Sequence, residues 1–175
     1  MLFRSGMGAV GGLVLHPTAA FVDSLGQSTR GVNNGSVALK LSYGEVDILF
    51  TGDIEGETDA ALLAWGARLQ AEVLKVAHHG SSTSSSARFL RAVRPDWAVI
   101  SVGQFNRFGH PSSAVVTALQ ENGASVLRTD RSGAVILSSD GRSITVDTAI
   151  DWSRDRKSTR LNSSHSQQSR MPSSA

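Results

Sequence analysis

Between residues 46 and 128 short apolar strands alternate with helices, and that alternation leaves few folds open. Residues 46–50, 73–77, 97–102 and 125–128 are brief runs rich in β-branched and large aliphatic side chains. Residues 57–69, 84–93 and 111–120 read as the helices between them. The first has Ala, Leu and early acids, and the third has Pro111 at its start and Asn122-Gly123 as its stop. A β-α-β-α-β-α-β order of this spacing implies right-handed crossovers and a largely parallel sheet covered by helices. Ahead of it, Val37, Leu39, Leu41 and Tyr43 alternate with Ala38, Lys40 and Ser42, as in a half-buried strand. The Gly44-Glu45 turn joins that strand to residues 46–50 as an antiparallel hairpin. Residues 13–15 read as a strand stopped by His16-Pro17, and residues 134–137 and 144–146 as strands joined by glycine turns. The expected fold is therefore α/β, with hairpins at both ends adding antiparallel strands to one mixed sheet.

Composition removes several function classes. The chain of 175 residues has no cysteine, which excludes a disulfide scaffold, a Cys-rich zinc module and a catalytic thiol. No uninterrupted apolar run approaches the roughly 18–20 residues that a membrane-spanning helix needs. The formal net charge of +2 comes from the end of the chain, because residues 1–154 carry −1. A near-neutral domain gives no general case for nucleic-acid binding.

Both ends read differently from the middle. Residues 155–175 are Ser-rich, hold Leu161 as the one large aliphatic residue, and have no strand or helix period. They read as a disordered tail, and specifically as a translated sequencing-adapter read-through, Asp155–His165 matching the start of a common adapter and Ser169–Ala175 its far end. On that reading the natural C-terminus lies elsewhere. The Gly-rich stretch 6–15 after Arg4 is a poor hydrophobic helix, so the chain is expected to begin inside a domain rather than with a secretory signal.

In a sheet of this kind the carboxyl ends of the parallel strands share an edge, where ligands collect. Thr51-Gly52-Asp53 follows the first parallel strand, His78-His79-Gly80-Ser81 the second, and Gly103 through His110-Pro111 the third. One carboxylate and three imidazoles thus converge from successive loops. Asp53, His78, His79 and His110 are a donor set suited to zinc, manganese or iron. Taken singly, each has a plainer use. Asp53 could cap a helix, His110 could only precede a proline, and the His pair could be solvated; His16 reads as structural.

Thr51-Gly52-Asp53, Leu74-Lys75-Val76-Ala77-His78-His79-Gly80-Ser81, Ile100-Ser101-Val102-Gly103 with Asn106 through Pro111, and Arg128-Thr129-Asp130 with Gly133-Ala134 together resemble a known domain. It is the C-terminal metallo-β-lactamase-like domain of ComEC-type DNA-uptake proteins. Leu15-His16-Pro17 and Asn33 through Val37 fit it too, so the likeness covers roughly residues 11–148. The resemblance implies the second half of an αββα sandwich, with residues 1–154 as a partial domain. It implies a pair of divalent ions, zinc or manganese, sharing a hydroxide. Asp53 would be a bridging carboxylate, and His79 and His110 both stand for the late histidine ligand. His78 would ligate or orient its neighbour, and His110 is put forward as catalytic. Ser81, Ser82 and Arg107 are the candidate phosphate contacts, with N-capping the plainer use of the serines.

One departure bears on activity. The superfamily's His-x-[His/Asp]-x-Asp-His loop, which carries most ligands of the first metal, does not occur in this sequence. The chain is therefore expected to bind metal weakly or not at all and to be inactive alone. The resemblance further implies a parent that is a bacterial inner-membrane channel, with this domain outside the cytoplasm hydrolysing DNA phosphodiesters. Two rivals stand beside it: another hydrolase of the superfamily, such as a lactonase or thioesterase, and a DNA-binding or assembly module without catalysis. Arg88, Arg91 and Arg94 recur every three residues but read as a solvated helix face. Phe89, Trp65 and Trp97 occupy core positions.

Overall fold

The computed structural model describes residues 2–5, 8–19, 21, 31–150 and 167–170. Seven strands form one sheet in chain order: β1 (Leu2–Ser5), β2 (Gly8–His16), β3 (Ala38–Tyr43), β4 (Val46–Phe50), β5 (Val73–Lys75), β6 (Trp97–Ile100) and β7 (Ser125–Arg128). Pairs from β1 to β4 are antiparallel and those from β4 to β7 parallel. The crossovers carry α1 (Gly56–Leu62), α2 (Ala87–Val93) and α3 (Ser113–Glu121); α4 (Thr129–Ser132) is a single turn after β7.

Strand alternation sorts the core into two faces. Leu49, Leu74, Ala98 and Ile100 point to the helices, where they meet Leu62, Phe89, Leu90 and Leu119 in a fully buried cluster. Val46, Val73, Trp97 and Val99 point the other way, onto Ile144 and Val146 of a second sheet. That sheet contains β8 (Val135–Ser139), β9 (Ser143–Thr148) and β10 (Gln167–Arg170). The result is helix, sheet and sheet in three layers, as expected of half an αββα sandwich.

Several expectations need correcting. The C-terminal hairpin does not extend the large sheet; it folds across its second face, because Val46, Val73 and Trp97 would otherwise meet water. The helix expected over 57–69 stops at Leu62 and continues as a 3-10 segment, with Gly66 at φ 56°, ψ −130°. The helix expected from Ser84 starts at Ala87, where the Ser86 hydroxyl accepts the Phe89 N–H. Within 155–175, Gln167–Arg170 pairs with β9 through main-chain bonds that an open edge offers to any sequence; the rest lies outside the described residues. Among the described residues no helix is long and apolar enough to cross a membrane.

Candidate metal centre

The site is assembled where β4, β5 and β6 run out. Thr51 is buried, and its hydroxyl donates to the Lys75 carbonyl of the next strand at 2.7 Å. Gly52 follows at φ 56°, in a place where a side-chain carbon would come within 2.7 Å of Ser36 Cβ. That turn lifts Asp53 off the sheet, its N–H donating to Ser36 Oγ at 3.1 Å. The Gly52 carbonyl in turn accepts the His78 N–H at 3.1 Å, tying the first loop to the second.

His78 and His79 sit in the tight Ala77–Gly80 turn with φ of 47° and 55°. Left-handed backbone costs a non-glycine residue about 1–2 kcal/mol, so two in succession concentrate strain at this point. The turn is held by Ser84, whose buried hydroxyl bonds the carbonyls of Ala77 and Ser81. It is also joined to the third loop, since the Gly80 carbonyl accepts the Ser112 N–H at 2.8 Å.

These bonds aim the imidazoles. His79 Nδ1 lies 2.7 Å from the Ser101 carbonyl oxygen, which can only accept, so Nδ1 carries a proton and Nε2 is the ring nitrogen left to face a metal. Nε2 stands 3.8 Å from Asp53 Oδ1. Two ligands on one tetrahedral zinc lie about 3.4 Å apart, close to this separation and beyond hydrogen-bond reach. The His78 ring centre is 6.4 Å from that of His79 and 5.7 Å from that of His110. Partial burial, then the neighbouring His78 and His79, push the His110 imidazolium below the usual histidine value and favour the neutral ring.

All four candidate ligands therefore share one edge. Among the described residues, however, no group of three or more such side chains is placed to hold an ion. Asp53 and His79 fit a divalent ion as a pair of donors, half of a coordination shell. Of the phosphate candidates, Ser82 and Arg107 are exposed, whereas Ser81 is buried and its hydroxyl bonds Thr83.

Two neighbours of this cluster were not foreseen. Glu55 Oε1 lies 3.3 Å from the buried Nδ1 of His78 and also accepts the Thr83 hydroxyl at 3.2 Å. Lys75 stands near Asp53; burial pushes its ammonium below the usual lysine value and the carboxylate partly opposes that shift. A lone cation in the run Val73–Lys75 was the available signal. Asn34 is a structural knot behind the site: its Oδ1 accepts the Glu55 N–H at 2.9 Å and the Thr58 hydroxyl at 2.8 Å. Its carbonyl lies 2.8 Å from Nε2 of buried His16, in keeping with a structural His16. Asn34→Ala orphans both donors and is expected to lower stability by about 2 kcal/mol, read by urea unfolding.

Comparison with known proteins fits this geometry. The description "Metallo-beta-lactamase superfamily", whose members in general bind divalent metals such as zinc, matches residues 12–104. Competence protein ComA of Neisseria gonorrhoeae is 41% identical over 104 residues, covering 59% of this chain and 15% of that protein. ComE operon protein 3 of Bacillus subtilis is 38% identical over 103 residues, covering 59% and 13%. Recombination protein 2 of Haemophilus influenzae is 36% identical over 107 residues, covering 61% and 13%. The chain thus spans about one-seventh of the length of these relatives. With more than half of its residues inside the family match, and the donor-bearing loops at the strand ends, the chain belongs to the metallo-β-lactamase superfamily.

Proposed function

We propose that this chain is part of a metal-dependent hydrolase that cleaves DNA phosphodiesters, within a membrane-bound DNA-uptake protein of the ComEC type. The observation carrying the reading is the His79–Asp53 pair, an imidazole fixed by the Ser101 carbonyl with its Nε2 turned toward a carboxylate. The names of the relatives, competence proteins, support the substrate class. Asp53 and His79 would hold the ion, and His78 would brace or complete that hold. His110, kept neutral, would act beside them. A bound divalent ion lowers the pKa of water and so supplies a hydroxide near neutral pH. Arg107 and Ser82 would meet a phosphate oxygen. The remaining ligands would come from other parts of a longer polypeptide.

A second reading, a module that holds DNA without cutting it, draws on the absence of a three-donor group among the described residues. Titration with Co²⁺, followed by its visible bands, addresses the first point. The chain is expected to bind weakly, and Asp53→Asn or His79→Ala to weaken binding at least about tenfold, as even ligand-orienting groups do. Unchanged cobalt spectra in both variants would remove the metal assignment. For the reaction itself, the matched stretch is grafted into Competence protein ComA. The grafted domain should hydrolyse a DNA phosphodiester with Mn²⁺ or Zn²⁺. Turnover of a lactone or thioester instead would assign another hydrolase activity, and oligonucleotide binding without metal or turnover would favour the second reading.

A further inference from the structure

The loop from Gly103 to His110 carries two aromatic rings that the core does not use. Phe105 is 89% exposed and Phe108 79% exposed, on either side of exposed Arg107. Isolated surface aliphatics need no explanation, but two solvent-facing phenyl rings three residues apart, with a cation between them, do.

Nor is the exposure a matter of a loose loop. The Asn106 side chain clasps the segment at both ends, Nδ2 donating to the Gly103 carbonyl at 3.1 Å and the His110 carbonyl at 2.8 Å. Its Oδ1 accepts the His110 N–H at 2.9 Å. The clasp fixes the backbone between which Phe105, Arg107 and Phe108 project. Phe108 also lies nearly parallel to the His110 ring, with centres 6.0 Å apart and an interplanar angle of 17°. His110 in turn stands 5.7 Å from His78. Ring contacts, parallel between Phe108 and His110 and edge-on between His110 and His78, therefore run from solvent to the candidate metal centre.

We propose that Phe105 and Phe108 form a stacking platform for unpaired bases of a single-stranded nucleic acid, with Arg107 on the intervening phosphate. This rests on the proposed phosphodiester chemistry and adds the form of the substrate. Duplex bases present their faces to one another, whereas an unpaired base offers a free face to an aromatic side chain. Arg107 has no carboxylate partner among the described residues, so its charge remains available to a phosphate. The chemistry favours a strand over a lipid surface, because Phe108 stacks on the His110 imidazole, itself beside the His78 ring, rather than on further apolar side chains.

The test is fluorescence anisotropy on the full chain in EDTA, so that binding is separated from metal and cleavage. The probes are a labelled 12-mer of dT, an abasic 12-mer with the same phosphates, and a 12-bp duplex. The dT strand should bind at least about tenfold more tightly than the abasic strand, the size expected for a stacked base. Phe105→Ala with Phe108→Ala should remove that difference, Phe→Tyr at both should keep it, and Arg107→Gln should weaken both strands and flatten the salt dependence. Equal affinity for dT and abasic strands, or a dT preference that survives the double alanine variant, would overturn the proposal. So would tighter binding to duplex, or phenylalanine-dependent binding to phosphatidylglycerol vesicles with no dT preference. A dT preference in a chain whose cobalt spectra are unchanged by both Asp53→Asn and His79→Ala would count against the hydrolase reading alone.

Discussion

Gly80→Ala is expected to lower the unfolding free energy by about 3 kcal/mol and to displace the His78–His79 turn. Two costs add. Gly80 has φ 81°, where any L side chain is strained by about 1–2 kcal/mol. The new carbon would also stand 2.6 Å from Pro111 Cβ and 3.2 Å from Pro111 Cα. Pro111 has little room to retreat, because the Ser112 N–H is already bonded to the Gly80 carbonyl and Ile100 is fully buried on the same side. Overpacking of this kind costs about 1–3 kcal/mol further. Gly109→Ala is the control: φ is 71°, but nothing lies within 4 Å of the added carbon. Urea unfolding should show Gly80→Ala costing about 2 kcal/mol more than Gly109→Ala. Cobalt binding should fall only in the Gly80 variant. Equal losses at the two glycines would show that Pro111 yields and that the loops are not locked together.

That interlock explains what could be read from the letters. The crossover order followed from hydrophobic runs and their spacing, so the parallel strands β4 to β7 and the edge bearing Asp53, His79 and His110 were legible. What periodicity does not encode is how loops are pinned. Ser36 under Gly52, Ser101 behind His79 and Asn34 behind Glu55 are each about 17 to 22 residues from their partners in sequence. Nothing local announces those pairings. The same holds for the C-terminal hairpin, whose alternation marks a strand but not which sheet it joins. The helix after residue 56 is shorter than its letters suggest: Ala and Leu continue to Leu69, but the α-helix ends at Leu62 and the 3-10 segment that follows is interrupted at Gly66 by a backbone that only glycine adopts readily. Glu55 is hidden in the sequence for a different reason: an acid before a helix reads as a helix-end charge, and only the fold places it against His78.

Asp59 should make this domain more stable as pH falls from 7 to 4, the reverse of most carboxylates. It lies fully buried on α1, with Oδ2 accepting the Ser86 N–H at 2.7 Å and Oδ1 without a hydrogen-bond partner among the described residues. Burial pushes its carboxyl up from 3.8 to about 6, against the opposing bonds from Ser86 and Ser85. Between those values the folded chain holds a proton that the unfolded chain has released. Stability therefore falls as pH rises through the window, and the full cost, about 3 kcal/mol, is present above pH 6. Other groups work the other way. His110, held below the usual histidine value, loses stability for the fold as pH drops below about 6.5, and Asp130, held down by its Arg128 partner, does so below about 4. The clean quantity is the stability of wild type minus that of Asp59→Asn, measured by urea unfolding at several pH values. It should rise by about 2–3 kcal/mol between pH 7 and pH 4, whatever its starting offset, since the amide does not titrate. A difference flat across that range would mean that Asp59 is ionised in both states and that its carboxylate is reached by water.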